Sequence, residues 1–267
     1  MFKVGFIGGG NMATAIIGGA LGSGFLAPES VAVSDANPQA SAALAQKFGV
    51  AEFEDNRGVA DRSWLIVLAV KPQFYEGVID QIGDLVLSSG QKIVMTLAPG
   101  WRIIRTQAAF GGSIKVVRAM PNTPALVGQG VTGFCCSEQV SAKESGWVSE
   151  LLDSFGRAEP LPERLMDAFV GLCGSSPAFV FMMIEALADA AVHEGFPRAQ
   201  AYTLAAQAVL GSAQMVRDLE QHPAQLKDMV CSPGGSTIEG VRVLEKKGMR
   251  SAFFEAALRT IAKAKEM

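Results

Sequence analysis

Residues 2–13 read Phe-Lys-Val-Gly-Phe-Ile-Gly-Gly-Gly-Asn-Met-Ala, and this stretch restricts the possible folds more than any other. Val4, Phe6 and Ile7 supply the apolar run of a buried strand. Gly8, Gly10 and Ala13 match G-x-G-x-x-A, and the Ala/Ile-rich segment from Asn11 to Leu21 continues as a helix. Each small residue has a mechanical task. Gly8 permits a tight strand-to-helix turn, Gly10 lets the backbone approach a pyrophosphate, and Ala13 keeps the helix close to the strand. The helix then aims free N–H groups and its positive dipole end at the phosphates. A second apolar run, Val31–Asp35, ends about where a ribose-reading residue belongs. The acidic side chain of Asp35 favours a free ribose 2′-hydroxyl, hence NAD, and would repel a 2′-phosphate.

The pattern then alternates. Strand runs at Ser30–Ser34, Gly49–Phe53, Trp64–Val70, Lys92–Leu97 and Ser113–Ala119 are separated by helical stretches at Pro38–Phe48, Gln73–Gly83 and Trp101–Ala109, with Asn56–Asp61 a short helix or a link. Val131–Cys136 and Phe155–Glu159 read as closing strands around a helix at Ala142–Leu152. Alternation at this spacing predicts a Rossmann-like, doubly wound and mainly parallel α/β sheet. From Glu163 only helical periodicity remains, so the boundary is expected near Pro160–Pro162: residues 1–160 a dinucleotide-binding domain, residues 161–267 an all-helical one. About a hundred residues of short helices bury little alone, which predicts dimerisation through this half.

Composition excludes several classes. The net charge is −3 and the Lys and Arg residues are scattered, which argues against a nucleic-acid partner. Ala168–Ile184 carries no charge, yet Gly174-Ser175-Ser176-Pro177 interrupts it and Glu185 and Asp189 follow. A membrane span needs about 20 unbroken apolar residues, so a covered core helix is expected and no membrane association. Cys135, Cys136, Cys173 and Cys231 lack metal-binding spacing, and the first strand follows Met1 directly; together these predict a cytoplasmic protein with reduced thiols. Glu185, Asp189 and His193 share one helical stripe, read as an ordinary polar face, so no metal is expected.

Three further loops carry chemical signals. Ala69-Val70-Lys71-Pro72 and Met120-Pro121-Asn122-Thr123-Pro124 follow strands, at the ends where open α/β sheets bind ligands. The plainer alternative is a pair of proline-stiffened turns. Cys231-Ser232-Pro233-Gly234-Gly235-Ser236-Thr237-Ile238 combines two glycines, hydroxyls and a helix start, the make-up of a carboxylate or phosphate cradle. Its alternative is a helix capped by Ser236 or Thr237.

In this order and spacing, Gly8-Gly9-Gly10-Asn11-Met12, Ala69–Pro72, Met120–Pro124 and Ser232–Ile238 closely resemble the pyrroline-5-carboxylate reductase family over nearly the whole chain, the last segment most specifically. The resemblance implies reduction of 1-pyrroline-5-carboxylate to L-proline by hydride transfer from NAD(P)H, with NADP the family's cofactor and NAD the alternative that Asp35 suggests. It assigns Gly8, Gly10, Asn11 and Met12 to the pyrophosphate and Ser34 and Asn56 to the adenosine ribose. Ala69, Val70, Lys71 and Pro72 lie beside the nicotinamide half, and Met120, Pro121 and Asn122 belong to the same cofactor cleft. It places the substrate carboxylate on the Gly234-Gly235-Ser236-Thr237 turn, on the N–H groups of Gly235, Ser236 and Thr237, and brings the Thr237 hydroxyl to the ring nitrogen as the catalytic side chain. It further implies a homodimer, able to assemble further, in which one subunit's helical domain completes the other's cleft. The chain departs from the family at Ser176 and Phe179, where Gly and Tyr are usual. Two rivals share features of the plan. A β-hydroxyacid dehydrogenase needs a lysine early in the second half, and none occurs between Lys143 and Lys227. A non-catalytic NAD(P)H-sensing module would leave the Ser232–Thr237 segment without a task.

Overall fold

The computed structural model describes residues 1–266. Its strands are β1 (Phe2–Ile7), β2 (Val31–Ser34), β3 (Ala51–Glu52), β4 (Ser63–Leu68), β5 (Ile93–Thr96), β6 (Lys115–Met120), β7 (Gly130–Cys136) and β8 (Gly156–Pro160), joined in one sheet of order β3-β2-β1-β4-β5-β6-β7-β8. β1 to β6 pair in parallel, β7 runs antiparallel to β6, and β8 is parallel to β7. The strand order reverses between β1 and β4. That reversal opens a crevice at the carboxyl ends of these two strands.

Helices α1 (Asn11–Gly22), α2 (Pro38–Phe48), α3 (Asn56–Arg62), α4 (Tyr75–Ser89), α5 (Ile103–Phe110) and α6 (Ala142–Asp153) accompany the strands. Strand periodicity splits β1 between two cores. Val4 and Phe6 join Ile16, Ile17, Leu151 and Phe155 on one side, while Ile7 joins Val59, Ile79, Ile82 and Phe110 on the other. Local chemistry sets the helix ends. Pro38 occupies the first turn of α2, Asn37 accepts from the Gln39 N–H at 3.1 Å, and Gly49 ends the helix at φ +71°.

Two helices start later than their periodicity predicts. Trp101 is 2% exposed and packs its ring 4.7 Å from that of Tyr75, so core packing removes it from α5, which begins at Ile103. The expected helix from Gln73 opens as a 3-10 turn, Pro72–Phe74, and α4 proper runs on to Ser89, where Gly90 stops it at φ +60°.

The chain divides into two compact units: Met1–Gly174 with the C-terminal residues from Thr260, and Ser175–Arg259. The packing break falls later than the change of pattern at Pro160–Pro162. Met166 and Phe169, in the short helix α7 (Met166–Phe169), bury against Met120. Arg118 of β6, only 1% exposed, donates to Asp167 Oδ1 at 2.8 Å. A π-helical turn, Val170–Gly174, ends this unit.

The second unit holds α8 (Ser176–His193), α9 (Arg198–Leu219), α10 (Pro223–Val230), α11 (Ser236–Lys246) and the first part of α12 (Met249–Lys265). α8 and α9 meet through Ala188, Ala201 and Ala205. The covered core helix expected here is not covered by this chain: Phe181 is 61% exposed, Met182 68% and Leu187 49%. The continuous helical stretch Glu163–His193 is long and apolar enough to cross a membrane by length and composition, with 6% of its most apolar window buried. α8 and α9 meet on a stripe of alanines with Ile184 and Val192 beside it, and Phe181, Met182 and Leu187 of α8 are left exposed.

Candidate active site

At the crevice, Gly8 adopts φ +107°, and a Cβ there would lie 2.8 Å from the carbonyl carbon of Ala69. Only glycine fits so close a backbone. The Gly8 N–H donates to Ser34 O at 2.8 Å and the Ala69 N–H to Ile7 O at 2.8 Å, so the turn is seated between the ends of β2 and β4. Gly10 is the N-cap of α1, and a Cβ on it would meet nothing within 4 Å. Beside this open ground the first amides of α1, those of Asn11, Met12 and Ala13, have no acceptor within the helix. Such a terminus is suited to a pyrophosphate.

The two expected ribose residues meet although 22 positions separate them: Ser34 Oγ donates to Asn56 Oδ1 at 2.9 Å, and Asn56 Nδ2 donates to Gln81 Oε1 at 2.8 Å. Arg57, next in the chain, is held by Asp84 through paired bonds of 2.7 and 2.8 Å. Asp35 differs from the sequence expectation. Its oxygens accept from the Gly9 N–H at 2.6 Å and the Asn37 N–H at 2.7 Å, so they face the glycine turn and the start of α2.

The segment Ala69–Pro72 leaves the end of β4 with Ala69 and Val70 half-buried and Lys71 exposed. Tyr75 supports it from below, a residue that sequence reasoning missed. Its hydroxyl donates to Leu68 O at 2.7 Å and lies 3.1 Å from the Leu97 N–H and 3.2 Å from Thr96 Oγ1. The carboxyl ends of β4 and β5 are thereby tied together. Burial pushes the Tyr75 phenol up to about 12, which keeps this donor protonated. Its signal in the sequence was slight: one of two tyrosines, just after a Lys-Pro turn.

Met120, Pro121 and Asn122 turn their side chains inward. Met120 packs on Met166 and Phe169. Asn122, 7% exposed, donates to Cys173 O at 3.0 Å and accepts from the Val131 N–H at 2.9 Å. Both polar ends of Asn122 are therefore occupied by backbone.

In the helical unit, Ser232-Pro233-Gly234-Gly235 forms a turn. Gly234 sits at φ +69° and the Gly235 N–H donates to Ser232 O at 3.0 Å, a type II arrangement with proline and glycine in their preferred positions. A Cβ on Gly235 would stand 2.4 Å from Ser232 Oγ. Gly235 is the N-cap of α11 and no side chain caps it. The capping alternative for Ser236 and Thr237 therefore falls away. Because the turn engages the Gly235 amide, the free donors are those of Ser236, Thr237 and Ile238 rather than the expected Gly235, Ser236 and Thr237. Ser176 and Phe179 lie half-buried in the first turn of α8. Asp189, from the polar stripe, pairs with Arg198. Among the described residues no group of three or more His, Cys, Asp or Glu could hold a metal ion.

Known proteins resemble this chain over nearly its whole length. Residues 163–267 match the family described as pyrroline-5-carboxylate reductase dimerisation, and residues 3–99 match the family described as NADP oxidoreductase, coenzyme F420-dependent. The chain is 45% identical over 267 residues to the pyrroline-5-carboxylate reductase of Escherichia coli, covering 99% of this chain and 98% of the relative. To human pyrroline-5-carboxylate reductase 2 it is 38% identical over 270 residues, covering 99% and 83%. Among solved structures it matches the enzyme of Coxiella burnetii with a TM-score of 0.91 at 33% identity, covering 99% and 98%. It also matches Plasmodium falciparum pyrroline carboxylate reductase with NADP bound, TM-score 0.88 at 30% identity, covering 99% and 97%. Similarity of this extent spans both the glycine turn at β1 and the Ser232–Ile238 turn, and on it the chain belongs to the pyrroline-5-carboxylate reductase family.

Proposed function

We propose that this chain reduces 1-pyrroline-5-carboxylate to L-proline with NADPH, the last step of proline biosynthesis. One observation carries the reading: a chain with an open glycine cradle at the β1/β4 reversal also holds a Pro-Gly-Gly turn whose hydroxyls and helix-start amides are uncommitted. NADPH, when bound, supplies the hydride.

The chain's own residues bind and orient. Gly8, Gly10, Asn11 and Met12 receive the pyrophosphate, and Ser34 with Asn56 flanks the adenosine ribose. Ala69–Pro72 borders the nicotinamide half, while Met120, Pro121 and Asn122 shape the cleft from behind, Asn122 through the backbone it holds. The amides of Ser236, Thr237 and Ile238 receive the substrate carboxylate, with Gly234 and Gly235 setting the turn. The Thr237 hydroxyl hydrogen-bonds the ring nitrogen. The imine arrives protonated from solution, so hydride addition to the C=N carbon completes the reaction without a strong acid or base. What the protein contributes is proximity and orientation.

The exposed apolar face of α8 supports a homodimer, and the free thiols suit a cytoplasmic enzyme. Steady-state kinetics with the imine against NADPH and NADH test the reading. Turnover with NADPH is expected; binding of either cofactor without turnover would leave only a dinucleotide-binding module.

A further inference from the structure

The carboxylate of Asp35 ends β2 at the place where an acidic side chain commonly reads the cofactor's ribose. Here both of its oxygens are otherwise engaged. One accepts the Gly9 N–H at 2.6 Å and the other the Asn37 N–H at 2.7 Å. Bonds of this length between an amide and a carboxylate are charge-assisted and stronger than neutral ones. Gly9 is the middle glycine of the turn, and it is tightly placed. A Cβ there would lie 3.2 Å from Leu44 Cδ1 and 3.4 Å from the Ala40 backbone of α2. The preceding amide, Gly8 N–H, is fixed on Ser34 O at 2.8 Å. Two consecutive amides of the turn are thus fastened to the end of β2, and the turn lies against α2. What stays open is the Gly10 side and the start of α1, where the pyrophosphate would lie.

We propose that Asp35 is a positioning residue of the dinucleotide site. Its carboxylate clamps the Gly8–Gly10 turn onto the start of α2 and does not read the ribose. The inference rests on the dinucleotide reading of that turn. It also bears on the choice of cofactor: both carboxylate oxygens are engaged by the Gly9 and Asn37 amides and face the turn, so they are not presented to the ribose.

The two roles predict opposite signs. A ribose reader, once removed, weakens NADH and improves NADPH. A clamp, once removed, weakens both, because both cofactors share the pyrophosphate. Asp35→Asn and Asp35→Ala in the full-length protein are therefore expected to raise KM for NADPH and for NADH together, by about tenfold, with kcat little changed. Gly9→Ala leaves the carboxylate in place but presses the turn away from α2, and it moves both KM values in the same direction. Improved NADPH use in the Asp35 variants would overturn the clamp, as would a lowered melting temperature with both KM values unmoved. A wild-type chain that binds neither cofactor would instead sink the dinucleotide reading, and the clamp with it; wild-type turnover beside unaffected Asp35 variants sinks the clamp alone.

Discussion

Thr237 starts a helix, yet its hydroxyl bonds no described residue and the N-cap is the preceding Gly235. A threonine placed there for stability would accept an amide from its own first turn. The free hydroxyl is what a substrate contact requires. Thr237→Val keeps the shape and deletes the hydroxyl; it is expected to lower kcat/KM for the imine by about one to two orders of magnitude. Melting temperature and NADPH affinity should stay at the wild-type values, and Thr237→Ser should recover most of the activity. A melting shift with normal kinetics would end the catalytic assignment. The residue scale also separates what a sequence announces from what it hides. Gly8, Gly10 and Gly234 were legible because backbone geometry restricts their type: φ is +107° at Gly8 and +69° at Gly234, and Gly10 borders open space. Asp35 was legible as a position but not as a contact. Its partners, Gly9 and Asn37, are chosen by how far the turn leans toward α2, and no spacing encodes that lean.

At the scale of elements, α6 combines two devices that the helical period alone did not reveal. Ser141 and Glu144 form a capping box, with the Glu144 N–H on Ser141 Oγ at 3.3 Å and the Ser141 N–H on Glu144 Oε2 at 2.8 Å. The other oxygen of Glu144 accepts from Lys115 of β6 at 2.6 Å. Partial burial raises the Glu144 carboxyl's pKa, but the bonds from Lys115 and Ser141 prevail and hold it below the ordinary glutamate value. A carboxyl depressed in the fold contributes stability that is complete above its unfolded pKa and is lost as pH falls through the folded one. Thermal unfolding should therefore show a stability loss beginning below about pH 4.5 that is reduced in Glu144→Gln. At neutral pH the same variant is expected to be less stable by about 1 kcal/mol, or roughly 2–4 °C. An unchanged acid limb would show that the pair contributes nothing. Element types were legible here because sheet and helix periods differ sharply. Ends were less so: Trp101 left its helix for the core, and within the π turn Val170–Gly174 the Cys173 carbonyl accepts from Asn122, 51 residues away in the chain.

For the whole molecule, the decisive quantity is the apolar surface that one chain cannot cover. In the unit Ser175–Arg259 the buried apolar side chains are Ala188, Ala201, Ala205 and Leu226, while Phe181, Met182, Leu204, Leu210, Val243, Phe254 and Leu258 remain exposed. Exposed apolar side chains in this number mark an association site. The homodimer proposed above would cover it with a second copy, since an isologous contact presents the same apolar face to itself, and residues 163–267 match a family described as pyrroline-5-carboxylate reductase dimerisation. The sequence displayed the apolarity of Ala168–Ile184 but not the exposure of Phe181 and Met182 within it, because composition and periodicity report which residues avoid water and not what shields them. Phe181→Glu combined with Leu187→Glu places charges on this face at residues that are 61% and 49% exposed in the single chain. Within an isolated chain such changes are nearly neutral, whereas in a packed interface each charge loses its hydration. The double variant is thus expected to sediment as a monomer and to lose turnover. It should still bind NADPH, because Gly8, Gly10, Ser34 and Asn56 all lie in the sheet unit. A monomeric variant with full turnover would show that one chain suffices for catalysis, and a variant that remains dimeric would place the interface elsewhere than on α8.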